Sequence, residues 1–144
     1  MKGNSKMKSV DPERTQFEEF KSLPRDVPIF MLNLISLYEY ARYDEGRKIS
    51  GADAYKAYGQ KSRPIFQRVG GRIIWRGQPA SLLIGPPDEK WDIAFIALYP
   101  NAGAFLEMVT DPDYKKAVRH RQAAVFDSRL IRCHEMSFSD EMFG

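Results

Sequence analysis

The stretch WDIAFIALY, residues 91–99, is read as a β-strand with two apolar faces. Trp91, Ile93, Phe95, Ala97 and Tyr99 fall on one side, Ala94, Ile96 and Leu98 on the other. Such a strand needs cover above and below, so it belongs in the interior of a sheet whose two faces are both hidden. Pro100 closes it, and NAGAFLEMV begins a helix with Asn101 as its cap. Asp111-Pro112 then starts a second helical segment, PDYKKAVRHRQAAV, so the helical region is broken rather than continuous. SRLIRCHEM (128–136) supplies the last strand.

Working toward the amino terminus, RIIWRG and ASLLIG are short β-prone runs around Gly77-Gln78-Pro79, which predicts a hairpin or a strand bent there. Before them, Ser50 with Asp53 resembles a capping box, and Tyr55, Tyr58, Ser62, Ile65, Phe66 and Val69 recur at helical spacing until Gly70-Gly71. Pro64 is expected to bend this helix. IFMLNLI (29–35) is too short for a helix and has prolines before it, which suits a first strand. Residues 36–49 read as a long loop of the kind used as lids or interface arms. DPERTQFEEFKSL predicts a short accessory helix with Asp11 as cap and Pro12 in its first turn.

The order is β-α-β-β-α-β, which folds most simply as a ferredoxin-like α+β domain, with helices on one face of an antiparallel sheet. The division that follows is an amino-terminal extension over 1–26, one domain over 27–137 and a tail over 138–144. The face left bare by the helices would expose Trp- and Ile-lined surface, and a second copy is the simplest cover, so a homodimer is expected.

Composition bounds the function. With 144 residues, 43% of them hydrophobic, the chain supports one core and not two. A net charge of +3 is too weak for a nucleic-acid-binding field, and WDIAFIALY lacks the aromatic RNA-binding signature of sheets with this strand order. The longest apolar run, PIFMLNLISLY, falls short of the ~20 residues that cross a bilayer, and the basic start has no apolar run behind it. A soluble, cytoplasmic protein is expected. Cys133 alone makes no disulfide, and two imidazoles, His120 and His134, without spaced carboxylates predict no metal site. Gly70, Gly71 and Gly77 match no phosphate-binding loop, and no G-x-S-x-G marks an acyl-transfer nucleophile.

The candidate site comes from helix faces. At 100° per residue, Arg121 shares the apolar stripe of Tyr114, Ala117, Val118, Ala124 and Val125, while Arg119 points away. An arginine on that stripe either anchors an anion, snorkels to water or pairs structurally with Asp127 or Asp111. His120, at the stripe's edge, is either a general base or a surface histidine. Tyr55, Tyr58 and Tyr114 lie on inward faces of two helices and line a pocket or fill the core. Asn33, inside the first strand, has a buried amide that must bond to backbone or to a ligand.

DAYKAYGQKSRPIFQRVGGRIIWRG, WDIAFIALYPNAGAFLEMVTDPDYKKAV and HRQAAVFDSRLI together resemble the family known as domain of unknown function 1330, within the dimeric α/β-barrel superfamily. The resemblance spans about residues 27 to 133 and implies a ferredoxin-like homodimer whose sheets meet. That superfamily includes haem-degrading monooxygenases, which use an Asn, a Trp and a His. Asn33, Trp75 or Trp91, and His120 are the counterparts available here, although Arg119 and Arg121 flanking His120 depart from that pattern. Three functional expectations follow. The first is a small-molecule protein, acting on a small organic acid or aromatic by proton transfer or cofactor-free oxygenation, with Arg121 as anchor, the tyrosines and Asn33 as ligand contacts and His120 as base. The second is a non-catalytic dimer that binds a ligand or a protein through the 36–49 loop. The third is a haem protein. No cofactor is otherwise called for.

Overall fold

The computed structural model describes residues 8–136, and the expected tail over 138–144 lies outside them. In chain order the elements are α1 (Arg14–Ser22), β1 (Ile29–Leu37), α2 (Gly51–Arg68), β2 (Arg72–Gly77), β3 (Ile93–Tyr99), α3 (Ala102–Thr110), α4 (Pro112–Ala124) and β4 (Val125–Cys133). The strands pair antiparallel throughout in the order β2-β3-β1-β4. This is the ferredoxin-like α+β fold, with α1 added before it. Among the described residues no helix is long and apolar enough to cross a membrane.

Caps set the helix starts as the sequence implies. Ser50 Oγ accepts the Asp53 N–H at 3.0 Å, and Asn101 Oδ1 accepts that of Ala104 at 2.8 Å. The Asp111 carboxylate accepts from Asp113 and Tyr114 where α3 stops and α4 begins. α2 runs through Pro64 to Arg68 without a break; Pro64 is exposed, so water can serve the carbonyl that its ring leaves unbonded.

Three local expectations are corrected. α1 starts at Arg14 behind Glu13, with no side-chain cap; Asp11 instead receives the Gln122 amide at 3.2 Å. ASLLIG forms no strand, and residues 78–92 join β2 to β3 as a loop. β3 is already flanked by β2 and β1, and the Pro86-Pro87 pair that follows offers no N–H to a ladder. β4 spans 125–133 rather than 128–136, because the chain turns from α4 straight into the sheet and a register shift at Ser36/Leu37 lets Val125 pair with Leu37. The 36–49 loop is packed: Ala41 and Tyr43 are buried, and Arg42 donates its N–H to Ala123 O at 2.8 Å.

The core between sheet and helices divides in two. One cluster gathers Ile29, Met31, Ala97, Tyr99 and Met108 under α3 and the start of α4. The other gathers Ile35, Ala54, Ala123, Ala124 and Val125 at the far end of α4. Phe95 touches both. Asn33 sits on β1 between Met31 and Ile35, on the same strand face.

Gly51 begins α2 where the backbone of Tyr38 passes, and a Cβ there would collide with the Tyr38 carbonyl oxygen. Helix propensity alone favours Gly→Ala by about 1 kcal/mol, but the obstacle is backbone and cannot swing aside. Gly51→Ala is therefore expected to destabilise the protein by about 1–3 kcal/mol, read as a lower urea midpoint; a raised midpoint would show that the loop yields.

Candidate functional site

An open cleft of about 2110 Å³ is lined by residues of the sheet and of α1, α2, α3 and α4. Among its walls are Asn33, Tyr55, Tyr58, Tyr114 and Arg121, five of the residues singled out from the sequence, together with Phe95, Ser128 and Arg132. Tyr114 belongs to the first apolar cluster and Tyr58 packs against it, whereas Tyr55 packs against the second. Arg132 escaped the sequence reading, although alternation along SRLIRC puts Ser128, Leu130 and Arg132 on one strand face, with Arg132 opposite Met31.

The phenols form a linked set. Tyr58 Oη and Tyr114 Oη are 2.7 Å apart, and the rings meet edge to face at 6.1 Å; Tyr55 packs against Tyr58 at 5.5 Å. Burial is the main force raising all three above the ordinary phenol value, and Arg121 pulls them only partly back. They are neutral donors at neutral pH. In a single O–H···O pair one phenol proton is used between the two rings, so the other is available to a third group. Asn33 spends one amide hydrogen on Met31 O at 3.0 Å, and no other described residue bonds its side chain.

Arg121 is half-buried. It donates to the carbonyl of Val10 and to Ser128 Oγ at 3.3 Å. The two carboxylates expected as structural partners are engaged elsewhere: Asp127 with Arg129 at 2.8 Å and Asp111 with Arg68 at 2.7 Å. Among the described residues no carboxylate lies within 4 Å of Arg121. Among the described residues its charge is met by neutral oxygens.

His120 and Trp75 are placed elsewhere. The His120 ring turns away from the cleft, is 5% exposed, and has Nδ1 2.6 Å from Tyr43 Oη; it ties the 36–49 loop to α4. One step along a helix is 100° of rotation, which is why two adjacent residues serve different sides. Trp75 pairs with Ile96 on the opposite sheet face and is 53% exposed. Trp91 lies under Arg129, whose guanidinium is 5.3 Å from its ring. Asn33, the tryptophans and His120 thus do not converge on one haem-sized space. His134 bonds Arg132 Nε at 3.2 Å, outside the cleft. Among the described residues no group of three His, Cys, Asp or Glu could hold a metal ion.

The model of the family described as Domain of unknown function (DUF1330) matches residues 45–132. A crystal structure of methylated RPA0582 protein is similar at 50% identity and a TM-score of 0.88, covering 90% of this chain and 96% of its own. A second, of the RPA0582 protein of unknown function from Rhodopseudomonas palustris, gives 49% identity and 0.87 over 91% and 99%. SnoaB, a cofactor-independent oxygenase from Streptomyces nogalater, is similar at 12% identity and 0.51 over 79% and 98%, and shares the fold alone. No curated protein matches this chain.

Burial, reinforced by Arg119, Lys61 and Arg47 and opposed by Glu45, holds the His120 imidazole below its ordinary value. The unfolded chain therefore takes up this proton near pH 6.5, before the folded protein does. The resulting stability is present above that pH and is lost as pH falls through the folded value. The urea midpoint of the wild type should fall between about pH 7 and 5 more steeply than that of His120→Gln. Equal slopes would show that another group titrates.

Proposed function

The chain belongs to the DUF1330 family, and on that premise we propose that its sheet–helix cleft binds a small organic anion with an apolar or aromatic body. The observation that carries this reading is Arg121: a half-buried guanidinium on the cleft wall, answered by a backbone carbonyl and a hydroxyl but by no described carboxylate. A charge withdrawn from water without a counter-ion leaves electrostatic stabilisation unclaimed, and a ligand carboxylate would supply it. Tyr55, a free proton of the Tyr58–Tyr114 pair and the Asn33 amide add polar contacts, while Phe95, Ala97 and Tyr99 offer the apolar floor.

The reading is one of binding. Donors dominate the cleft, its phenols hold their protons, and the imidazole of His120 is spent on Tyr43, so the geometry favours seating an acceptor-rich ligand over abstracting a proton. We further propose that a second copy covers the other sheet face. Support comes from Trp75 (53% exposed) and Ile131 (48% exposed), whose ladder partners Ile96 and Leu32 share that face.

Titration calorimetry with a panel of aryl and short-chain carboxylates tests the first proposal. A charged hydrogen-bond pair contributes about 1.5–3 kcal/mol, so Arg121→Met is expected to weaken the binders roughly 10- to 100-fold; unchanged affinities would retire the anchor. For the second, Trp75→Glu combined with Ile131→Glu is expected to halve the mass seen in sedimentation equilibrium. A wild type that sediments as a monomer would refute it.

A further inference from the structure

The segment ahead of β1 crosses the cleft as a strap. Ser9, Val10, Phe17 and Phe20 all face the cavity, yet α1, its helical part, has no buried residue. The strap is held chiefly at its ends, and each end is gripped by an arginine of the cleft wall. At the far end Arg132 donates to Phe20 O at 3.3 Å and Pro24 O at 2.6 Å, its guanidinium lies 5.0 Å from the Phe20 ring, and Phe20 stacks on Phe105 at 5.1 Å. At the near end Arg121 donates to Val10 O, Ser128 Oγ donates to Ser9 O at 2.7 Å, and the Ser9 N–H donates to Asp127 at 2.9 Å.

The two ends differ in kind. The Phe20 end combines a cation over the ring, a tilted ring–ring contact and two carbonyl bonds, and works as a hinge. At the Val10 end the guanidinium likewise faces a neutral carbonyl, beside the Ser9 bonds to Ser128 and Asp127, the Gln122 amide on Asp11 and the packing of Val10 against the second cluster; what sets it apart is that its arginine lies where the phenols feel its charge. A carboxylate is a far better acceptor for a guanidinium than an amide oxygen is, because the bond is then charge-assisted on both sides and can be two-pronged. The Val10 carbonyl therefore sits in the position that an anionic ligand would compete for.

Resting on the anion-binding reading above, we propose that the ligand is a monocarboxylate whose head group displaces the Val10 carbonyl from Arg121, so that filling the cleft releases the near end of the strap. Arg132 is committed to the hinge, while Arg121 acts on all three phenols and Arg76 on Tyr55; a single carboxylate suffices to take over the Val10 position on Arg121. A hydroxyl on the body of the ligand would meet the amide oxygen of Asn33. Ligand entry and strap opening become one exchange of acceptors, with no bond made or broken beyond hydrogen bonds.

Hydrogen exchange of the Ser9 amide, which the closed strap bonds to Asp127, read by NMR in the full chain, tests this with two probes, 4-hydroxybenzoate and its neutral isostere 4-hydroxybenzamide. Without any ligand, Arg121→Met should speed exchange of the strap about tenfold. Saturating 4-hydroxybenzoate should speed wild-type exchange there without affecting 21–24, and the benzamide should bind at least about tenfold more weakly. Strap protection unmoved by Arg121→Met overturns the latch whatever binds. Benzoate binding that leaves the strap closed, or that equals benzamide binding, overturns the displacement while the cleft reading stands; no binding by either probe, with the calorimetric panel also silent, overturns both.

Discussion

Arg121 is half withdrawn from water at the end of α4 and is answered there by oxygen, and much of the architecture follows from how that demand is met. The helix continues straight into β4, so Ser128, seven residues on, returns beneath the guanidinium. The amino-terminal strap is drawn across to deliver the Val10 carbonyl. With polar groups fixed in the middle of the layer, the aliphatic and aromatic side chains collect to either side, and the core becomes two clusters joined at Phe95. A continuous core would bury more apolar area and be more stable by the usual reckoning of about 25 cal/mol per Å². The fold forgoes part of that to keep a cleft open.

The sheet imposes a second constraint. Both faces of β1 and β3 are apolar, because each strand lies between two others and helices fill only one side. Leu32, Leu34 and Ile96 on the opposite side are half-buried, and the residues flanking them on the outer strands are more exposed still. The loop between β2 and β3 turns back toward this face through Glu89 and Trp91, which meet Arg129, but it leaves Leu83 91% exposed. Apolar surface on that scale is uncommon on an isolated monomer, and it is the physical reason for invoking a twin.

How far the sequence disclosed this depends on the range of the interaction concerned. Strand and helix identity came from periodicity and caps, which are local: Ser50, Asn101 and Asp111 each act within three residues. The inward turn of Arg121, Tyr55, Tyr58 and Tyr114 was legible for the same reason, since it needs only 100° per residue. What failed was set by distant partners. The Asp11 side chain is claimed by Gln122 across 111 residues, so it never caps α1. His120 is drawn to Tyr43 across 77 residues, and nothing near HRQ in the sequence announces that. ASLLIG has strand-forming side chains but no free sheet edge suited to it, a fact that belongs to the whole ladder and not to the segment.

The choice of phenols rather than carboxylates around Arg121 decides what the cleft can do. Phenols hold their protons behind a raised pKa, offer hydrogen bonds without neutralising the cation, and supply ring surface for an apolar body. The guanidinium is stabilised enough to stay half-buried and is still short of its best partner. On the anion-binding proposal, such a site would discriminate by charge first and shape second: a neutral molecule of the same outline would gain the ring contacts but leave Arg121 with its weaker acceptors, whereas an anion would gain both.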